Sequence, residues 1–199
     1  DTSSISAGRT IDASGYVVCP GFIDMHSHSD LALLSNPRHE AKVSQGVTTE
    51  ALGMDGLSYA PLSPAKLEQL IEYLKAVNGY PPGDIRWSSV KEFLSLFDNR
   101  VTCNVAYFVP HAALRVEAMG WEARLSTPDE LKQMRDLAEQ GMREGAFGFS
   151  TGLTYFPGTY SDMHELVQIA HAVQQYGGIY ITHSRYYLGD QLLDPFREA

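Results

Sequence analysis

Two histidines one residue apart, His26 and His28, close the run Val17-Val18-Cys19-Pro20-Gly21-Phe22-Ile23-Asp24-Met25-His26-Ser27-His28. Alternate side chains of an extended chain project to the same side, so both imidazoles can face one point in space. Neutral imidazole is a common protein ligand for zinc and other borderline divalent ions. A pair of them just past an apolar run reads as part of a metal site. Taken alone, the same spacing also suits two solvated side chains at a strand end.

Such a pair needs a frame. Apolar β-rich runs alternate with amphipathic helical patterns, which is how a parallel α/β sheet is written in sequence. Strands are expected over Phe22–Met25, Val47–Leu52, Thr102–Val109, Ala146–Ser150 and Gly178–Thr182. The second is entered through Gly46, suited to the end of a short helix over Pro37–Gln45. In the third, Val105, Tyr107 and Val109 share a face. Between strands, Pro64–Val77 carries Leu67, Leu70, Ile71 and Leu74 at helical spacing. Ser89-Val90-Lys91-Glu92 and Thr127-Pro128-Asp129-Glu130 are capping-box patterns opening two further helices. Ser161 is the expected cap of the last long helix, with Leu166, Ile169, Ala170 and Val173 turned inward. The polar groups that follow these strands are His26 and His28, then Asp55, His111, Ser150-Thr151 and His183.

Beyond these patterns the chain resembles a known superfamily. Asp12-Ala13-Ser14-Gly15, the run from Val18 to His28, and Gln45-Gly46-Val47-Thr48-Thr49 resemble the opening signature of the amidohydrolases. Gly53-Met54-Asp55-Gly56-Leu57-Ser58-Tyr59-Ala60-Pro61-Leu62 is similar to one branch, the N-acyl-D-amino-acid deacylases or D-aminoacylases. So are Gly148-Phe149-Ser150-Thr151-Gly152-Leu153-Thr154-Tyr155 and Tyr180-Ile181-Thr182-His183-Ser184-Arg185. The blocks come in the family's order and span nearly the whole chain. The resemblance implies an α/β fold: strands one to five of a (β/α)8 TIM barrel over residues 17–199, preceded at 1–16 by the tail of a small β domain. A full barrel takes ~250 residues, so the expectation is the N-terminal portion of a longer enzyme. An open part-barrel exposes sheet edges and apolar surface, and self-association is expected of it.

In a barrel the strand C-termini form one rim, where reactive groups collect. The resemblance implies His26, His28 and His183 as metal ligands, although His183, read from its neighbours alone, also suits a core histidine bonded to backbone. Asp55 stands where the branch usually has a metal-binding cysteine. A carboxylate bridges two cations through its two oxygens, and replacing thiolate by carboxylate hardens a site. The implied cofactor is therefore zinc, as one or two divalent ions, with manganese or cobalt as competitors. An Asp between two glycines also suits a plain tight turn. His111 and Arg115 resemble a histidine-to-arginine segment of the deacylases, and a cation there would hold a substrate carboxylate. Ser150, Tyr155 and Arg185 complete the substrate-binding candidates. His39, His164 and His171 are read as surface histidines, and Cys19 and Cys103 as packed thiols.

The implied reaction is metal-dependent hydrolysis of the amide of a small-molecule N-acyl-D-amino acid. The family's general-base aspartate follows the eighth strand and is expected outside these residues, so the chain by itself is expected to be inactive. Two alternatives stay open: another amidohydrolase (a cyclic amidase, dihydroorotase-like, or a dipeptidase) and a non-catalytic module derived from a barrel. Bulk properties narrow the field. Of 199 residues 44% are hydrophobic and 20% charged, fitting a globular domain. A formal net charge of -9 argues against nucleic acid as a partner. No apolar run approaches the ~20 residues of a spanning helix, so no membrane is expected. Two cysteines, far apart, point to the cytoplasm rather than a disulfide framework.

Overall fold

The structure is a computed structural model, described over residues 6–185 and 193–198. Five strands form one all-parallel sheet: β1 (Phe22–Asp24), β2 (Val47–Leu52), β3 (Asn104–Pro110), β4 (Gly148–Gly152) and β5 (Ile179–His183). Spatial order equals chain order, so each strand pairs with the next and β1 and β5 are the two edges. Helices fill the crossovers. Short α1 (Ala32–Ser35) and α2 (Glu40–Val43) join β1 to β2; α3 (Pro64–Asn78) and α4 (Val90–Ser95) join β2 to β3. Next come α5 (His111–Met119) and α6 (Pro128–Arg143), then α7 (Met163–Gln174) before β5, and α8 (Asp194–Glu198). The sheet and its helices make the first five units of a (β/α)8 barrel. No helix among the described residues is long and apolar enough to cross a membrane.

The local signals act as their chemistry dictates. Gly46, one residue before β2, takes φ 86°, and its N–H closes onto the carbonyl of Val43, the last residue of α2, at 3.0 Å. Ser89 and Thr127 each accept from the backbone N–H three residues on, and Glu92 and Glu130 reach back to complete both capping boxes. Leu67, Leu70, Ile71 and Leu74 of α3 are buried. They join Leu52, Phe93, Tyr107, Val109 and Phe149 in the main core, between the helices and the outer face of the sheet. A smaller cluster of Ala51, Met54 and Phe108, with Ile181 against it, fills the concave face. Tyr107 fastens the layers: its hydroxyl donates to the Ala60 carbonyl at 3.0 Å and accepts from the Ala60 N–H at 3.1 Å.

Several expectations are corrected. Strand β4 lies two residues later than expected and opens at Gly148, which packs flat on the Ile179 carbonyl, where a Cβ would stand 2.1 Å away. The cap of α7 is Asp162, whose carboxylate accepts from the Glu165 N–H at 2.9 Å; Ser161 instead donates to the Gly158 carbonyl. Pro110 ends β3 and caps α5 with no loop between, so His111 and Arg115 lie on a helix. Cys103 is buried but Cys19 is exposed. Exposed apolar side chains line both edges, including Phe22 and Ile23 on β1 and Ile179 on β5.

Candidate metal centre

His26 and His28 leave the C-terminal end of β1 and turn their rings toward the loop that follows β2. Both Nε2 atoms meet Oδ2 of Asp55, at 3.3 Å and 3.2 Å. On the far side, His183 at the end of β5 brings Nδ1 to 3.7 Å from Oδ1 of the same carboxylate. Ligand atoms of His26, His28 and Asp55 all lie within 4.8 Å of one another, the one such grouping among the described residues. Around a zinc-like ion with bonds of ~2.1 Å, tetrahedral ligand atoms stand ~3.4 Å apart. The spacings from Asp55 to His26 and His28, 3.3 Å and 3.2 Å, are close to that value. With His183 at Oδ1, each carboxylate oxygen has its own imidazole partners, the arrangement a bridging ligand needs.

Asp55 is held by backbone chemistry that only its neighbours permit. It sits at φ 55° in the left-handed region, flanked by Gly53 at φ 81° and Gly56 at φ 65°. Asp tolerates this region better than most L-residues. The loop is pressed onto β3 and β4: a Cβ on Gly53 would stand 2.2 Å from the Phe108 carbonyl oxygen, and one on Gly152 2.0 Å from that of Asp55. Ser150, fully buried on β4, clamps it from beneath by donating to the Gly53 carbonyl and accepting from the Gly56 N–H. Asp30 holds the loop's start, accepting from Gly53 N–H at 3.1 Å and from the Ser58 hydroxyl at 2.5 Å. Burial lifts the Asp30 carboxyl to about 6 against these bonds. At Asp55 burial also pushes upward, but the His28 hydrogen bond and the fields of His26, His28 and His183 outweigh it and hold the carboxyl below its ordinary value. The same bond raises the His28 imidazole despite its burial.

The expected substrate residues separate into three groups. Tyr155 stands at the site, its hydroxyl 3.5 Å from His183 Nδ1 and its ring 4.8 Å from the imidazole. Ser150 is in place but spends its hydroxyl on the Asp55 loop. His111 and Arg115, expected to offer a cation to a substrate carboxylate, are both fully buried. Arg115 donates to both oxygens of Glu165 at 2.7 Å and to the Arg124 carbonyl, while His111 Nε2 lies 2.7 Å from Glu165 Oε1. The carboxylate that Arg115 holds is thus the chain's own. Arg185 likewise binds Glu198 and the carbonyls of Thr159 and Ser161. Glu165 escaped the sequence reading, although an acid on the face shared by Ile169 and Ala172 marks it. His39, read as a surface histidine, pairs with buried Glu50 at 2.7 Å; His164 and His171 are exposed.

Comparison with known proteins places the chain in a family. The model of the Amidohydrolase family matches residues 9–199. The D-aminoacylase of Alcaligenes xylosoxydans xylosoxydans is 38% identical over 190 residues, covering 93% of this chain and 37% of that enzyme. A solved D-aminoacylase, studied for one-metal activation and second-metal attenuation of its binuclear centre, superposes with TM-score 0.83 at 35% identity over 100% of this chain and 41% of its own. The N-acyl-D-glutamate deacylase of Bordetella bronchiseptica, solved with zinc and a phosphonate inhibitor, gives 0.81 at 31% identity over 100% of this chain and 40% of its own. The chain thus spans about two fifths of the length of these relatives. Matched by that family model along nearly all its residues, the chain belongs to the amidohydrolase family.

Proposed function

We propose that the protein carrying this chain hydrolyses the amide bond of N-acyl-D-amino acids at a divalent-metal centre formed by His26, His28, Asp55 and His183. The observation that carries the reading is the single Asp55 carboxylate met on one oxygen by His26 and His28 and approached on the other by His183. When bound, a divalent cation acidifies water and polarises an acyl carbonyl, which is the chemistry amide hydrolysis needs. The four side chains would hold it. Tyr155, beside His183, is placed to donate to the acyl oxygen or to line the acyl pocket. Ser150 keeps the Asp55 loop rigid rather than touching substrate. The donor set of imidazoles and one carboxylate accepts zinc, and the absence of a thiolate makes manganese and cobalt stronger competitors. Exposed apolar residues along β1 and β5 support self-association of the isolated 199 residues.

Metal content and turnover test the reading together. The purified protein should bind one or two equivalents of zinc and lose at least one on Asp55→Ala. Activity of the whole enzyme toward an N-acetyl-D-amino acid should vanish with a chelator and return with added metal. Unchanged stoichiometry in Asp55→Ala would remove the carboxylate from the site.

A further inference from the structure

Behind the histidine pair lies a second polar cluster that the family signature does not explain. It occupies the layer between the sheet and α2, where residues are expected to be apolar; Leu52, two positions along β2 from Glu50, belongs to the main core. Glu50 itself is fully buried. Its Oε2 accepts from the Ser27 hydroxyl at 2.6 Å and from Lys42 Nζ at 2.9 Å, while Oε1 lies 2.7 Å from His39 Nε2. Lys42 also donates to Asp24 Oδ2 at 2.7 Å and to Ser27 Oγ at 2.8 Å. A buried carboxylate tolerates such a place only when its charge and lone pairs are met, and an apolar replacement often costs nothing or stabilises. Stability is therefore a weak reason for these groups to be here.

Where the network ends is more telling. Asp24 Oδ1 accepts from the backbone N–H of His26 at 3.1 Å. Ser27 lies between the two histidines, and its hydroxyl accepts from the Ser29 N–H at 3.2 Å and pairs with the Ser29 hydroxyl at 2.7 Å. Residues 24, 27 and 29 thus bracket His26 and His28 on every side, and Lys42 and Glu50 tie the bracket to α2 and β2. His39, a bulky residue held at φ 44° at the start of α2, closes the cluster onto Glu50.

We propose that Glu50 is a positioning residue for the metal centre: through Lys42, Ser27 and Asp24 it fixes the backbone of residues 24–29 so that both imidazoles present Nε2 to Asp55. Glu50 makes no contact with the ligand atoms and acts through the segment that carries them. This inference rests on the metal-site reading above.

The test measures zinc affinity of the purified protein by competition with a chelator of known strength, and the visible spectrum of the cobalt(II) form. Glu50→Gln and Ser27→Ala should each weaken zinc by about 10–100-fold, the range found when outer partners of ligands are removed. Both should also alter the cobalt bands, which report ligand geometry, while the metal-free protein keeps its circular dichroism. Ser27→Ala removes a single hydroxyl and decides the matter should Glu50→Gln fail to fold. Folded variants with wild-type zinc affinity and wild-type cobalt bands would reduce the network to ordinary packing and overturn the proposal. A wild-type protein that binds neither ion would overturn the metal-site reading itself, and this inference with it.

Discussion

Replacing Glu165 by Gln should damage the fold more than any single change at the candidate site. Among the described residues, Glu165 is the acid that meets both Arg115 and His111, and all three are buried. Burial by itself would raise the Glu165 carboxyl; the bonds and charges of His111 and Arg115 reverse this and hold it at about 2, against 4.5 in an unfolded chain. A displacement of that size corresponds to about 3 kcal/mol. Because the folded value is the lower one, this contribution is fully present above pH 4.5 and is lost as pH falls toward 2. His111 adds an earlier slope of the same sign. Its imidazole is held below 6.5 by burial, so unfolding takes up a proton once pH drops past that value. Glu165→Gln leaves the Arg115 charge buried with the Arg124 carbonyl and no carboxylate, a loss of about 3–5 kcal/mol. At a urea slope of about 2 kcal/mol/M the midpoint should fall by about 2 M at neutral pH. The variant should also lose less stability than wild type between pH 4.5 and 2, the remaining loss coming from other carboxylates held low, such as Glu130. Adding Arg115→Met should recover part of the loss, since the unpaired charge goes with it. Strictly additive costs for the two substitutions, or a Glu165→Gln midpoint within experimental error of wild type, would refute the coupled-charge account.

Two further substitutions probe the frame and the loop it carries. Gly152→Ala puts a Cβ against the Asp55 carbonyl, where a Cβ would stand 2.0 Å away, so the loop must shift; about 1–3 kcal/mol of stability and most zinc affinity should be lost, read by urea melts and chelator competition. Tyr107→Phe strips both bonds from the Ala60 peptide in the core; a loss of about 1–3 kcal/mol is expected by the same melts, with zinc affinity retained.

Much of the frame is readable because local and global preferences coincide. The run Val47-Thr48-Thr49-Glu50-Ala51-Leu52 opens on three β-branched residues, is bounded by a glycine, and forms β2 with the expected limits. Ser89 and Thr127 announce their helices through side-chain chemistry that needs no tertiary partner. That His26 and His28 share one side after the first strand, and that His183 follows the fifth, is legible from strand period and order; the grouping of Asp55 with them comes from the family resemblance. The polar interior was not legible. Arg115 looks like a solvated cation until α5 is known to start at His111 and turn it inward onto Glu165. Glu50 and Lys42 are eight residues apart and on different elements, and nothing in their spacing announces that they share Ser27. Long-range electrostatic pairing is decided by packing, which periodicity does not encode. The same limit placed the cap of α7 on Ser161 rather than Asp162, one residue away, because both are good acceptors and only the turn at Gly158 selects between them.

The two outermost strands of the sheet do not touch through backbone, yet the side chain at position 55 reaches the first through His26 and His28 and the last through His183. It works as a bowstring across the hollow of the bend. Any ion seated there would be felt as curvature: loading adds RT ln(1 + [ion]/Kd) to the bent form alone, and stripping it lets the arc relax. Amide protons of the first and last strands should then exchange faster after chelation than those of β3 at the middle of the arc.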